Sequence, residues 1–481
     1  MAPEQKLYLA LDQGGHASRA LVFNGLGQLV ATGSVPVDTL RNADGHIEHD
    51  PGALIASLRE AIAAACKELP AGSHIVAAGL ATQRSSMCCW NRHSGVALSP
   101  VISWQDRRNA SWLEKLSPHA SIIRTRTGLV LTPHYGASKM RWCLDHLPAV
   151  QAAHVAGELV MGPLASFIAC RLLDGHPCYA DPANAARTQL WDPATRDWSD
   201  ELLQLFGVAR GVLPVPVTSR FDWGQLATPT GPVPLTVVTG DQSAVPFAFG
   251  TLDAATAYVN IGTGAFIQRA LRDRMPEAKQ LLVSVVWSDA ERVDYMLEGT
   301  VNGAGSALDW LATHEDLPLA QLLDAGQSAA AAGLDPPLFL NGIGGLGSPF
   351  WRSDFESRFV GTGTAGSRLV AVLESIAFLL YTNYRELAAQ EPPFTRLLLT
   401  GGLSANGYLC QCLADLCGMP VVRSEEPEAT ARGLARLIAA NDAGNWPVPA
   451  TSGLMPAQNL RLYARFGHWD ELMKAICDAQ V

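Results

Sequence analysis

Apolar residues crowd positions 6–12, KLYLALD, and the run ends on Asp12. That pattern predicts a strand that delivers a carboxylate to its tip. Positions 19–24 and 28–37 predict two more strands, joined through Asn24-Gly25-Leu26-Gly27, a hairpin signal. Asp50-Pro51 then opens a helix, because aspartate caps free N–H groups and proline suits the first turn. Leu54, Ile55, Leu58, Ile62 and Cys66 recur at helical spacing and predict its buried stripe. Positions 74–81 return to a strand-like apolar run. Strands followed by alternating strand and helix predict an α/β fold.

Proline and glycine thicken between Gly211 and Pro234, which predicts a crossover between two domains, 1–235 and 236–481. Beyond it the opening pattern returns. An apolar strand at 235–239 leads into Gly240-Asp241-Gln242. A second, at 256–261, ends in Gly262-Thr263-Gly264. A third, at 396–399, runs into TGGLSAN, Thr400 to Asn406, ahead of a helix. Both halves therefore carry strands that end in small-residue turns with an aspartate nearby, a weak internal repeat. The alanine-rich run at 327–333 reads as helix or loop.

A chain of 481 residues has room for two to three domains, and 48% hydrophobic against 17% charged residues gives ample material for their cores. The net charge of -10 argues against a nucleic-acid partner, since phosphate backbones demand clustered Lys and Arg. No uninterrupted apolar run of about 18 residues predicts a membrane span. No signal-peptide pattern follows MAPEQK. The ten cysteines show no paired CxxC spacing, which predicts reduced, buried thiols in a cytoplasmic protein.

Glycine turns at strand ends let backbone N–H groups approach an anion. Several in one α/β chain suggest phosphate handling, although such turns are also common as structure. No GxxxxGK[ST] run is present, which excludes a P-loop. Asp12 has the position to hold Mg²⁺, and Asp241 has the position to take a proton from a hydroxyl attacking phosphorus. Both also fit plain turn residues that satisfy backbone N–H groups.

Together the motifs resemble the FGGY carbohydrate kinases, and among them most closely the glycerol kinase branch. The resemblance rests on DQGGHASRA (Asp12 to Ala20), HIEHDP (His46 to Pro51), TQR (Thr82 to Arg84), SWQDRR (Ser103 to Arg108) and SKMRW (Ser138 to Trp142). It continues through GDQ at Gly240, GTGAF at Gly262, LEGTVNGAGSALDWL at Leu297 and TGGLSANGYL at Thr400. It implies a two-domain, actin-like and hexokinase-like fold with a ribonuclease-H-like core and an interdomain cleft. It also implies ATP-dependent phosphorylation of a polyol or sugar hydroxyl, with Mg²⁺, and allows a homo-oligomer. By the same resemblance Asp12 holds the metal and Asp241 is the general base. Arg84, Ser85, Trp104, His134, Gln242 and Phe266 fall on the acceptor side, in the N-terminal domain and at its border. Gly14, Gly15, His16, Ser18, Arg19, Gly262, Thr263, Gly305, Asp309, Gly402 and Asn406 fall on the nucleotide.

The chain departs from the glycerol kinase pattern in two places. Gly15 and His16 stand where that branch has threonines, and His16 fits either a phosphate donor or a surface turn. Ser85 and His134 stand where it has a glutamate and a tyrosine. The loss of a carboxylate and a phenol enlarges the pocket and implies a longer polyol or ketose. Asp309 replaces a glutamine on the nucleotide side. A non-catalytic sugar- or nucleotide-binding sensor is the alternative expectation.

Overall fold

The protein is described by a computed structural model covering residues 6–70, 72–333 and 335–478. Strand β1 (Leu7–Gln13) is buried along its whole length. It pairs antiparallel with β2 (Ala17–Asn24), which pairs antiparallel with β3 (Leu29–Pro36). Helix α1 (Pro51–Glu68) follows, its N–H at Ala53 capped by Asp50 Oδ1 at 2.6 Å. Its buried stripe includes Leu54, Ile55, Leu58, Ile62 and Cys66, as the periodicity predicts. Strand β4 (Ile75–Thr82) then lies parallel to β1. After helix α2 (Gly136–His146), the strands β5 (Arg220–Thr228) and β6 (Gly231–Gly240) complete a sheet of order β5-β6-β4-β1-β2-β3.

The stretch from Gly211 to Pro234 is therefore not a crossover. It contains most of a hairpin at the edge of the first sheet. Its prolines mislead because proline lacks the ladder N–H. Here Pro232 and Pro234 face only β5, and β6 joins β4 from Leu235 onward. The division expected at 235/236 falls inside β6, and the two large sheets part between Gly240 and Thr256.

The second half repeats the plan. Strand β7 (Thr256–Ile261) pairs antiparallel with β8 (Ala265–Arg272). Strands β9 (Leu282–Ser288) and β10 (Val293–Val301) extend that side, and helices α3 (Gly305–Glu315) and α4 (Ala365–Ala388) follow. Strand β11 (Arg396–Thr400) then returns parallel to β7. Helix α5 (Gly407–Cys417), strand β12 (Val421–Ser424), helix α6 (Ala429–Ala439) and strand β13 (Thr451–Leu454) complete a sheet of order β9-β10-β8-β7-β11-β12-β13. In each half an antiparallel unit is followed by a strand parallel to the first, so the weak repeat in the sequence is a repeat of topology. The alanine-rich run lies largely within the helix Leu319–Ala331. Helix α4 is long and apolar enough to cross a membrane, but 78% of its most apolar window is buried inside this fold, as in a core helix.

Helix α6 joins the halves. Leu434 and Ile438 share one cluster with Tyr8, Leu21 and Phe23 of the first sheet and with Tyr258, Met296 and Leu398 of the second. A Cβ at Gly433 would lie 2.0 Å from the Ala244 carbonyl oxygen, so glycine alone lets α6 approach this closely.

Candidate active site

Strands β1, β4 and β6 run in one direction, and Gln13, Thr82 and Gly240 form one cross-strand row. Asp12, Arg84 and Asp241 therefore gather at the same carboxyl edge, where open α/β sheets place ligands. Asn260 and Thr400 form the matching row in the second sheet, and the Gly262 and Gly402 turns follow it.

Asp12 is 3% exposed. Arg19 lies opposite it on β2 and donates to its Oδ2. The other arm of Arg19 reaches Glu428 at 2.6 Å. Burial pushes the Asp12 carboxyl up, and Arg19 opposes that push. The turn beyond is tight, with the Gly14 N–H donating to the Ala17 carbonyl at 3.0 Å. Gln13 donates its side-chain amide to the Gly14 carbonyl at 2.6 Å, and Thr39 donates to the Gly15 carbonyl at 3.1 Å. Gln83 braces Gln13 at 3.3 Å and meets His49 at 3.4 Å. His16 is exposed at the tip. Ser18 is not brought to this turn: it is buried and shares a 2.8 Å hydrogen bond with Ser57 of α1. The bracing residues Gln13, Gln83 and Thr39 carried no separate signal in the sequence. Gln13 and Gln83 lay inside recognised motifs without a role.

Asp241 follows β6 and accepts the Gln242 N–H at 2.6 Å. Burial pushes its carboxyl up to about 6, against the pull of Arg84. Arg84 is mostly buried, its Nη2 is 3.9 Å from Glu298, and its Nη1 has no hydrogen-bond partner. Glu298 comes from β10 in the other half. It accepts two bonds from Arg187, at 3.1 and 3.2 Å, and one from Gln268 at 2.7 Å. Burial raises its acidity cost, but Arg187 and Arg84 hold it below the usual carboxyl range. Sequence reasoning missed Arg187, Glu298 and Gln268 as one group, because they come from three distant segments.

Ser85 is buried at a positive φ of 64°, its hydroxyl without a partner. The Lys139 ammonium of α2 donates to the Ser85 carbonyl at 3.2 Å and to the His134 carbonyl at 2.7 Å, so it ties the two loops together. Burial lowers Lys139 to about 7. The His134 ring lies edge-on between Trp104, at 5.7 Å, and Tyr135, at 4.9 Å. Burial first, then Lys139, Arg187, Arg84 and Arg107, push it well below the ordinary histidine value, so it is neutral near pH 7. Trp104 is exposed and is held by its own N–H, which donates to Ser86 Oγ at 3.0 Å. Phe266 is half-buried on β8 opposite Asn260 and Thr300. Gln242 lines a small cavity with Asn260 and Gln268 where the halves meet.

The Gly262-Thr263-Gly264 turn docks on the start of α3. The Gly305 N–H donates to the Gly262 carbonyl at 2.9 Å, and the N–H groups of Ala304 and Ser306 donate to Thr263 at 3.1 and 3.0 Å. A Cβ at Gly305 would lie 2.8 Å from the Gly262 oxygen, so this dock needs glycine. Asn406 caps α5 by accepting the Leu409 N–H at 2.9 Å. Thr263, Asp309 and Gly402 present exposed surface around these turns.

Two sheets of repeated topology, with carboxylates at one carboxyl edge and glycine turns at the other, define a two-domain actin-like kinase fold. Residues 7–260 match the family model for the N-terminal domain of the FGGY family of carbohydrate kinases, and residues 257–441 match that for its C-terminal domain. The chain belongs to the FGGY family of carbohydrate kinases and is a phosphotransferase with an alcohol group as acceptor. It is 34% identical over 443 residues to a glycerol kinase of Bordetella parapertussis, covering 89% of this chain and 87% of that one. It is 34% identical over 467 residues to a glycerol kinase of Alkalilimnicola ehrlichii, covering 94% of each. A Plasmodium falciparum glycerol kinase with ADP shares the fold at a TM-score of 0.89 and 22% identity, covering 98% of both chains. A xylulose kinase from Rhodospirillum rubrum superposes at 0.85 with 19% identity, covering 98% of this chain and 99% of that one.

Proposed function

We propose that this protein transfers the terminal phosphoryl group of ATP to a hydroxyl of a polyol or sugar, with Asp241 as general base. The observation that carries this reading is the Asp241 carboxyl at the tip of β6, which burial pushes up to about 6 against the pull of Arg84. A base with that value is ionised near neutral pH and still accepts a proton readily. Arg84, Ser85, Trp104 and His134 orient the acceptor so that its hydroxyl meets Asp241. The oxygen–phosphorus bond then forms in line with the departing diphosphate.

The residues around Asp12 fit a magnesium ion. Asp12 offers a hard carboxylate oxygen, Oδ1, on the side that Arg19 does not occupy. Among the described residues no group of three His, Cys, Asp or Glu side chains forms a cage, which suits an ion that takes its other ligands from phosphates and water. When bound, the ion neutralises phosphate charge. Arg19 holds Asp12 in place and ties it to Glu428. The Gly14 turn would approach the terminal phosphate, and the Gly262 turn, Gly305, Gly402 and Asn406 would line the rest of the nucleotide site. Closure of the halves excludes water and so suppresses wasteful hydrolysis. The free thiols fit the reducing cytoplasm.

The test is Asp241→Asn. Phosphoryl transfer should fall by a factor of about 10³ while ATP binding, measured by calorimetry, is unchanged. A variant as active as wild type would remove Asp241 from the mechanism.

A further inference from the structure

The Gly14 turn and the acceptor loop meet on one buried amide. Gln83 stands between Thr82, the last residue of β4, and Arg84, and it is buried. Its backbone N–H donates to the Gln13 carbonyl at 2.9 Å. Its side-chain Nε2 donates toward Gln13 Oε1 at 3.3 Å and toward the Gly14 carbonyl at 3.5 Å. Its Oε1 accepts the Ser86 hydroxyl at 3.1 Å, and Ser86 Oγ in turn accepts the Trp104 N–H at 3.0 Å. One side chain therefore touches the turn on one side and, through Ser86, the backbone that carries Trp104 on the other. His49 completes the set. Its Nδ1 is 2.9 Å from the Asp38 carbonyl, which fixes the proton there, so Nε2 is left to accept from Gln83 at 3.4 Å. Burial keeps the ring neutral, as that role requires. The hairpin that bears His49, Leu40–Arg41 with Ile47–His49, spans the same two places. Just ahead of it, Val37 and Thr39 donate to the His16 and Gly15 carbonyls at 2.8 and 3.1 Å. Within it, Arg41 donates to Gln105 at 2.7 Å and the Ile47 N–H to Asp106 at 2.6 Å. The Gln83 amide has two hydrogens for three acceptors, at distances longer than the usual hydrogen bond. A small shift of the turn changes which of them it serves.

We propose that Gln83 is a positioning residue that couples the nucleotide and acceptor sites, with His49 holding its amide in register. This rests on the kinase reading above and adds a link between its two sites. When a phosphate draws the Gly14 turn, the Gln83 amide follows the Gly14 carbonyl and the Gln13 side chain. Ser86 and the Trp104 backbone then follow the amide. Filling either site thus settles the other, and the gain is the same in both directions, because coupling between two binding equilibria is reciprocal. Gln83 needs no contact with either substrate for this. Its part lies in the agreement between the sites and not in the chemistry.

The experiment measures a cycle of affinities by calorimetry. The nucleotide probe is the non-hydrolysable analogue AMP-PNP with Mg²⁺. The acceptor probe is whichever of glycerol, erythritol, xylulose and gluconate the wild type phosphorylates fastest. The acceptor Kd without the analogue, divided by that with it, is the coupling factor, and damage to one site alone cancels in this ratio. The wild type should give a factor of about five or more. Gln83→Met keeps the length of the side chain, removes both polar atoms and should bring the factor to about one. His49→Leu should do the same, whereas His49→Gln, whose Oε1 still accepts from Gln83, should keep most of the coupling. A factor near one in the wild type, or one that Gln83→Met leaves unchanged, overturns the inference and leaves the kinase intact. A factor that His49→Leu leaves unchanged removes His49 from the coupling. If no probe is phosphorylated by protein that binds ATP, the kinase reading fails for these acceptors and hydrogen exchange decides. MgATP should then slow exchange of the peptide carrying the Trp104 N–H several-fold in the wild type and not in Gln83→Met. Equal slowing in both, or none in the wild type, overturns the coupling, and protein that binds no ATP overturns both readings. Should Gln83→Met not fold, the His49 variants decide. Loss in His49→Leu with retention in His49→Gln supports the inference, and equal factors in the two overturn it.

Discussion

Around Asp241 the cleft is lined by charges: Arg187, Glu298 and Lys139 are buried and held by specific partners, and Arg84 is mostly buried beside them. Around Gly262 and Gly402 it is lined by backbone and by exposed small residues. On the proposed reading the acceptor side would recognise through side chains, so one substitution there would change charge and shape together. On the same reading the nucleotide side would recognise through N–H groups presented by turns, which nearly any sequence supplies if glycine stands at the points of closest approach. Asp309 stands on an exposed helix position, whereas Ser85 and His134 are enclosed beside Asp241.

The sharpest break of this comparison lies in pH. If Asp241 works as the buried base, kcat/KM should fall about tenfold per pH unit below about 6, since only the ionised carboxylate takes a proton. The raised value puts this limb near 6 instead of near 4, and a pH–rate profile from 4 to 8 locates it. A limb near 4 would mean that burial does not govern the site. The next effect is on stability. Glu298→Gln leaves Arg187 and Arg84 facing each other with no carboxylate between them and should cost about 3–5 kcal/mol, read by urea unfolding. A loss under about 1 kcal/mol would show that water compensates the pair.

On the nucleotide side, Gly305→Ala pushes a methyl against the Gly262 carbonyl. The KM for ATP should rise about tenfold, with the acceptor KM unmoved. An equal rise in both would erase the division between the two sides. Lys139→Met removes the tie between the Ser85 and His134 loops. The acceptor KM should rise several-fold at constant KM for ATP, with rescue by Lys139→Arg only in part, because a guanidinium is planar and longer. The smallest effect belongs to His16→Ala. At an exposed turn tip it should change either KM by about twofold or less. A large rise in the ATP KM would instead make His16 a phosphate ligand.

The strands and glycine turns were legible because they are local: apolar runs, a capped helix and small residues at strand ends are each written within a dozen positions. The edge hairpin was not. Pro232 and Pro234 look like a linker until one sees that β6 has a single neighbour at that point. Ser18 sits within the phosphate-turn motif, yet strand alternation turns it into the α1 packing instead. The network of Arg187, Gln268 and Glu298 was invisible because Gln268 and Glu298 pair across neighbouring strands β8 and β10 while Arg187 reaches them from the other half of the chain.

By itself the sequence determined the two α/β halves, the family and the aspartates at the strand tips, since periodicity and short motifs suffice for those. Only the tertiary structure decided where the sheets part, which charges share the acceptor pocket and which polar atoms are left unmet there. Those are matters of long-range packing and of desolvation. Both depend on what surrounds a side chain in space, and neighbours in sequence do not fix that.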